Sequence, residues 1–334
     1  MARKTRKNKN YLGTPTTSNA AVPSSFKKGK GWLLILGLFV IAMAVEVGSV
    51  LKNQTTAKSF FVKTILAFGG EDQPCKAFSA WDVALSGDKW IALSDQGNKR
   101  ILIFDRQGKF IKAITDKEAG LPKFNEISKM TSDSKGNIYV ADAWNGRIRG
   151  FDLRGRQIAM VIVMGSYGPR GVAWDNGDFL VADSGTHRVV KVAADGAILN
   201  AWGQRGKGNG MFDGPNAVAL DAQGNIYVSD AGNNRVVCMD AQGKFIRNFD
   251  VGAQPYNVAV DSKGLVYITS MDGGFVKVFK TDGKYLGNLV DTDHKDQPFQ
   301  PLAGLKITPE GDLVGSRAGQ VVILHPTGEI GAAK

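Results

Sequence analysis

The chain has 334 residues, 43% of them hydrophobic, which is enough material for one large or two ordinary domains with a buried core. Its formal charge of +11 sits at one end: residues 1–30 hold Arg3, Lys4, Arg6, Lys7, Lys9, Lys27, Lys28 and Lys30 with no acid, leaving +3 for all that follows. That distribution excludes a broad cationic face on the globular part, so no nucleic acid is expected as partner.

From Gly31 to Val45 the sequence GWLLILGLFVIAMAV carries no charge, and after Glu46 it resumes as VGSVL before Lys52. About 20 such residues form a helix long enough for a hydrocarbon layer of roughly 30 Å, with Trp32 and Glu46 near the interfaces. The basic cluster before it predicts a cytoplasmic N-terminus and a translocated C-terminal part. The expected organisation is a basic flexible cytoplasmic tail at 1–30, a transmembrane signal anchor at 31–51, a linker at 52–59 and a domain at 60–334. Ala42-Met43-Ala44 offers small residues for signal cleavage, but the long tail favours an uncleaved anchor. Either way the domain is periplasmic or extracellular. No lipobox cysteine adjoins the apolar run. Asn53-Gln54-Thr55 is a glycosylation triplet that matters only in a eukaryotic lumen.

From Phe78 onward one phrase returns. It reads IALSDQGNKRILIFDRQGKF at Ile91, IYVADAWNGRIRGFDLRGRQ at Ile138, FLVADSGTHRVVKVAADGAI at Phe179 and IYVSDAGNNRVVCMDAQGKF at Ile226, with weaker copies at Val266 and Leu313. The aligned Asp or Ser positions, 95, 142, 183, 230, 270 and 316, step by 40 to 47 residues, the length of one four-stranded propeller blade. Each unit reads as four strands: NAVALD turns on Gln223-Gly224-Asn225 into IYVSD, a polar hairpin leads to RVVCMD, and Gln242-Gly243 turns into KFIRNFD. No sustained helical period follows Phe78, so the region is expected to be all-β. The units begin near Ala80, Ile127, Pro169, Pro215, Pro255 and Pro301. The last is short of a strand, and FFVKTILAFGG at 60–70 is expected to supply it, closing the ring and removing exposed strand edges.

These units resemble NHL repeats. Pro169-Arg170-Gly171-Val172-Ala173, Gly136-Asn137-Ile138-Tyr139-Val140-Ala141-Asp142 and Asn233-Asn234-Arg235-Val236 follow the repeat pattern almost literally. The resemblance covers about three quarters of the chain and implies a six-bladed β-propeller. The fifth unit departs with Ser270 and Phe275 in place of Asp and Arg, and the sixth with Ser316 and Gln320. WD repeats are less similar, because no Gly-His opens a unit and the Trp-Asp pairs at Trp81 and Trp174 fall in first strands.

Asp95, Asp142, Asp183 and Asp230 each precede Arg100, Arg147, Arg188 and Arg235 by five residues. A group repeated in every strong unit is expected to be structural, the Asp accepting backbone N–H groups and pairing with the Arg that opens the next strand. A redox dithiol, a thiolate zinc site and an attached c-type haem lack their ligands, since Cys75 and Cys238 are the only cysteines and lie in separate units, where no disulfide between them is expected. His187, His294 and His325 show no metal-ligand spacing. The expected cofactor is none. Calcium, which needs only oxygens, stays open; the most acidic loop is Asp291-Thr292-Asp293 with Asp296, interrupted by Lys295 and lacking the glycine and glutamate of an EF-hand.

The position before each inner strand should bring six residues to one mouth of the central channel: Trp81, Ser128, Arg170, Asn216, Tyr256 and Leu302. Trp144, Tyr167 and Lys129 extend this ring of aromatics, amides and one cation, which suits a ligand or peptide. No nucleophile, acid/base pair or metal cluster stands out from the repeat, and a membrane-tethered, non-enzymatic module binding a protein, peptide or glycan is the expected function. The alternative, implied by the resemblance to six-bladed propeller enzymes, is a lyase or lactonase dependent on calcium or zinc. It calls for converging ligands, and the ring offers Asn216, Ser128 and Asn257 without an evident base.

Overall fold

The computed structural model describes residues 58–68, 79–115, 122–294, 299–328 and 330, except 88 and 271, all within the unit Ala57–Lys334. The predicted tail, anchor and most of the linker lie outside the described residues, as do Cys75 and Asp296. Among the described residues no helix is long and apolar enough to cross a membrane.

The described part is all-β. Four sheets of four antiparallel strands follow the chain in order, and one eight-stranded sheet unites the last two blades. Blade 1 runs from Ala80–Ser86 to Phe110–Thr115, blade 2 from Ile127–Ser132 to Gln157–Ile162, blade 3 from Pro169–Asp175 to Ile198–Trp202 and blade 4 from Pro215–Leu220 to Phe245–Asp250. Blade 5 begins at Asn257–Val260 and ends at Tyr285–Asp291. Blade 6 has three strands of its own, Gly304–Ile307, Leu313–Arg317 and Gln320–Pro326.

The fourth strand of blade 6 is Lys58–Phe68, two residues ahead of the expected 60–70 segment. It pairs antiparallel with the last strand from Val62↔Pro326 to Phe68↔Val321. Its first half also pairs in parallel with the outer strand of blade 5, from Lys58↔Gly287 to Val62↔Asp291, which is why the two blades form one sheet.

Blades have apolar residues on both faces, so second strands such as IYVSD are buried throughout rather than alternating. Successive residues serve opposite gaps: Leu93 packs with Val314 and Ile323 of blade 6, while Ala92 packs with Ile138 and Val140 of blade 2. Six such clusters occupy the six gaps, including those between blades 5 and 6 and between 6 and 1. Burying each large apolar side chain contributes about 1.5–3 kcal/mol, and the ring is therefore closed by the same force that stacks its middle.

The recurring Asp and Arg fix the loops at one end of the propeller. Asp142 is fully buried; its Oδ2 accepts from Arg147 Nε and Asn145 Nδ2 at 2.8 Å, and its Oδ1 accepts from the Asn125 N–H at 2.9 Å. Arg147 then donates to the Lys123 carbonyl at 2.8 Å. The pattern returns at Asp230–Arg235 with Asn233 and the Asp213 N–H, at Asp95–Arg100 with Asn98, and, at a longer 3.4 Å, at Asp183–Arg188. Each clamp ties a hairpin to the loop that enters the same blade, satisfying buried polar groups at both. At the opposite end Asp133, Asp221 and Asp261 cap the first hairpin turns and accept from the hydroxyls of Tyr139, Tyr227 and Tyr267.

In blade 6 the alignment shifts by one residue. Ser316 does not stand at the clamp aspartate position: its Oγ accepts from the Gly304 N–H at 2.7 Å as Ser94 Oγ accepts from the Asp82 N–H, also at 2.7 Å. Arg317 holds the clamp position, paired with Gln320 across a hairpin of only Ala318 and Gly319. In blade 5 Ser270 Oγ accepts from the Gly273 N–H at 3.0 Å, a smaller substitute for the clamp.

Removing Asp230 leaves a buried guanidinium hydrogen-bonding system without its acceptor, a change that costs about 3–5 kcal/mol. Asp230→Ala is expected to lower unfolding stability by that amount in a denaturant titration; a loss below about 1 kcal/mol contradicts the clamp.

Candidate functional site

Because each inner strand enters at the clamped end, the residues that open those strands converge on the channel axis there. Trp81, Ser128, Arg170, Asn216 and Tyr256 occupy equivalent positions in blades 1 to 5, given by the pairing of Val83, Met130, Val172, Val218 and Val258 with their second strands. The sixth is Ala303 and not Leu302. Leu302 is fully buried in the cluster between blades 5 and 6, a correction that follows from the one-residue shift at Ser316.

One residue deeper, equivalent positions hold Asp82, Lys129, Gly171, Ala217, Asn257 and Gly304. Asp82 is fully buried; Oδ1 accepts from Asn257 Nδ2 at 2.9 Å and Oδ2 from the Met130 N–H at 2.8 Å, so one carboxylate joins blades 1, 2 and 5. Lys129 Nζ donates to the Ala303 carbonyl at 3.0 Å and the Trp81 carbonyl at 3.4 Å, and stands 3.9 Å from the centre of the Tyr256 ring. Asn216 Nδ2 donates to the Tyr256 carbonyl at 2.8 Å. Gly304 allows this closure, since a Cβ there would lie 2.6 Å from Asp82 Cα. The result is a polar plug across the channel, with the mouth residues above it.

Burial dominates the electrostatics of the plug. It brings the Lys129 ammonium down to about 7, helped by Lys306 and Arg170 and opposed by Asp82. It also pushes the Tyr256 hydroxyl up to about 12, with Asp82 adding to the effect. At the rim, Arg170 Nε lies 3.2 Å from Glu126 Oε1, and the carboxylate is almost wholly buried.

Trp144 and Tyr167 lie on neighbouring loops at the same end, from the second hairpin of blade 2 and the entry to blade 3. Their rings meet edge to face at 5.8 Å, yet they stay 52% and 66% exposed. Gly185 makes room for Tyr167, whose carbonyl would lie 1.8 Å from a Cβ at that position. His187 belongs to a loop contact: Nδ1 accepts from the Gly214 N–H at 3.0 Å and lies 3.3 Å from Asp213.

The donor set in the channel does not fit a divalent cation. Asp82 spends its oxygens on an amide and a backbone N–H, Glu126 faces Arg170, and Lys129, Arg170 and Lys306 oppose a further positive charge. Among the described residues no three His, Cys, Asp or Glu side chains come together as ligands. Cys238 is a buried thiol in the core between blades 4 and 5, raised to about 11 by burial.

Leu302 and Lys129, both expected at the mouth, lie elsewhere: Leu302 in the core between blades 5 and 6, and Lys129 one residue deeper, in a plug with Asp82 and Asn257 that the repeat alignment did not single out. The plug's signal was present: the deeper position is Gly or Ala in three units and Asp, Lys or Asn in the other three.

The depressed lysine has a definite consequence. Its unfolded value of 10.5 exceeds the folded value of about 7, so the unfolded chain binds the extra proton between them, and stability rises with pH across that window. From pH 7 to pH 9 the contribution is about 2–3 kcal/mol. Lys129→Met is expected to remove that slope in denaturant titrations; an unchanged slope contradicts the buried amine.

A family model for the NHL repeat matches residues 167–192 and 212–239, and one described as a 6-bladed beta-propeller matches residues 81–162. NHL repeat-containing protein 3 of Homo sapiens is 24% identical over 181 residues, 47% of this chain and 50% of that protein. The chain thus spans about half the length of the curated relatives it matches. Among solved structures, virginiamycin B lyase from Staphylococcus aureus superposes with a TM-score of 0.58 at 13% identity, covering 79% of this chain and 89% of that one. A chain of the nidogen/laminin complex superposes with a TM-score of 0.56 at 19% identity, covering 69% and 86%. At such identities these structures share the fold alone, and the fold is a propeller built with NHL repeats.

Proposed function

We infer that this chain is a membrane-tethered, extracytoplasmic propeller that holds a protein or peptide partner on its clamped face, without catalysis. The observation that carries the reading is the exposed Trp144–Tyr167 pair on loops beside a mouth that contains Arg170 and Trp81. Tryptophan, tyrosine and arginine dominate binding hot spots because they bury much area at little entropic cost while keeping a polar handle. The loops beneath them are pinned: the blade 2 hairpin by Asp142 and Arg147, and the blade 3 entry by Asp183, which accepts from the Tyr167 N–H at 3.1 Å. A preorganised surface loses less freedom on binding.

The plug favours a surface role as well. Lys129 spends its donors on carbonyls and a ring and is nearly inaccessible, so a ligand at the mouth meets Arg170, Tyr256 and Trp81 and not a reactive amine. Tethering rests on the apolar run 31–51, whose one charge is Glu46 near an interface, and on the basic residues before it, which orient the domain away from the cytoplasm. The nidogen structure is an example of this fold in a protein complex. The lyase structure belongs to the enzymatic alternative, for which the channel described here lacks a fitting metal donor set.

The test is affinity purification of the tagged full-length chain from its own membranes in mild detergent, with mass spectrometry of what accompanies it. A stoichiometric partner is expected with the unaltered chain, reduced at least about tenfold by Trp144→Ala with Tyr167→Ala, a loss of about 1.4 kcal/mol or more. Recovery of the same partner by the double variant, or of no partner by either, contradicts the reading.

A further inference from the structure

The opposite end of the channel holds a separate cavity. The last residues of all six inner strands line an open cup of about 390 Å³ below the plug, a size within the range of small-molecule sites. Its lining side chains are mainly apolar: Ala84 and Leu85 from blade 1, Val172 and Trp174 from blade 3, and the Val218–Leu220, Val258–Val260 and Ile307 segments from blades 4, 5 and 6. Trp174 is held in place by stacking on Tyr139, with ring centres 5.2 Å apart.

Among the described residues Lys306 is the one charged residue of this lining. No carboxylate among the described residues lies within ion-pair distance of it. The lining hydroxyls are engaged, Thr131 Oγ1 accepting from the Trp174 N–H at 3.2 Å and Ser132 Oγ donating to the Leu85 carbonyl. Toward the plug, Lys306 repels Lys129, and Asp82 is already bound to Met130 and Asn257. An open cup lined mainly by apolar side chains therefore carries a half-buried positive charge with no described carboxylate beside it, and a bound anion would meet both a cation and a relief of the repulsion above it.

We propose that this cavity binds a small amphiphilic carboxylate, its anionic head on Lys306 and its aliphatic or aryl body against Trp174, Val218 and Val258. The site is independent of the partner surface at the clamped face, because the plug separates them and different residues form them. The occupant is a free small acid, since mainly apolar side chains surround a single charge in a volume of small-molecule size.

The probes are hexanoate and its uncharged isostere hexanamide, titrated against the full-length chain by saturation-transfer NMR. Hexanoate is expected to half-saturate at or below about 1 mM and hexanamide to bind at least about tenfold more weakly. Lys306→Met should bring hexanoate down to the level of hexanamide, and Ala219→Phe, which fills the cavity, should abolish binding of both. Retained thermal unfolding temperatures establish that each variant folds; if one does not, the comparison of the two probes on the unaltered chain still decides. Equal affinity for both probes, an unaffected Lys306→Met variant, or a leucine-terminated tripeptide that outcompetes hexanoate overturns the proposal.

Discussion

Everything at the clamped end depends on a buried carboxylate at the end of a strand. In a propeller the loops that carry function are joined only to strand ends, and without a fixed contact they would move relative to the channel. Asp95, Asp142, Asp183 and Asp230 supply that contact by accepting on one oxygen from an entering loop and on the other from an arginine and a short polar side chain of the hairpin. The buried charge is tolerable because each carboxylate is surrounded by donors, and loss of one donor exposes the desolvation cost of the rest. The same constellation that resembles repeated acid/base chemistry in sequence is a joint in structure.

Two further constraints act on the ring as a whole. Lys58–Phe68 completes blade 6 and reaches over to blade 5, so both ends of the domain are held in one sheet and no blade remains short of a strand. At the axis, six inner strands approach closely enough that blade 6 needs Gly304 against Asp82, and blade 3 needs Gly171, whose Cβ would lie 2.9 Å from Ala217 Cα. The remaining axial space is filled by Asp82, Lys129, Asn257 and Tyr256, which separates the channel into two unlike ends. One end presents aromatic and charged side chains on pinned loops; the other is an open cup whose described side chains are mainly apolar, with Lys306 among them.

Much of this was legible in the sequence where the repeat is strong. Asp142 to Arg147 and Asp230 to Arg235 gave both the hairpins and their clamps, because local spacing alone sets a strand, a turn and a pairing partner. The sixth unit misled by one residue: its hairpin keeps only Ala318 and Gly319 between the paired Arg317 and Gln320, and counting from Ser316 moved the mouth position from Ala303 to Leu302. The plug was not legible as a network, since Lys129 meets Ala303 across 174 positions and Asp82 meets Asn257 across 175, distances at which no local pattern speaks. Glu126 was hidden for the same reason, its partner Arg170 lying on the next blade.

On the function proposed for this chain, a partner covers the clamped face around Trp144 and Tyr167 in the membrane that holds it. Hydroxyl-radical footprinting of the full-length chain, in its own membranes and after purification away from other proteins, tests it directly. The account predicts that Trp144 and Tyr167 are oxidised several-fold more slowly in the membrane than in the purified chain, while exposed Ile111 on the outer strand of blade 1 reacts equally in both. Equal oxidation of Trp144 and Tyr167 in the two preparations contradicts the account.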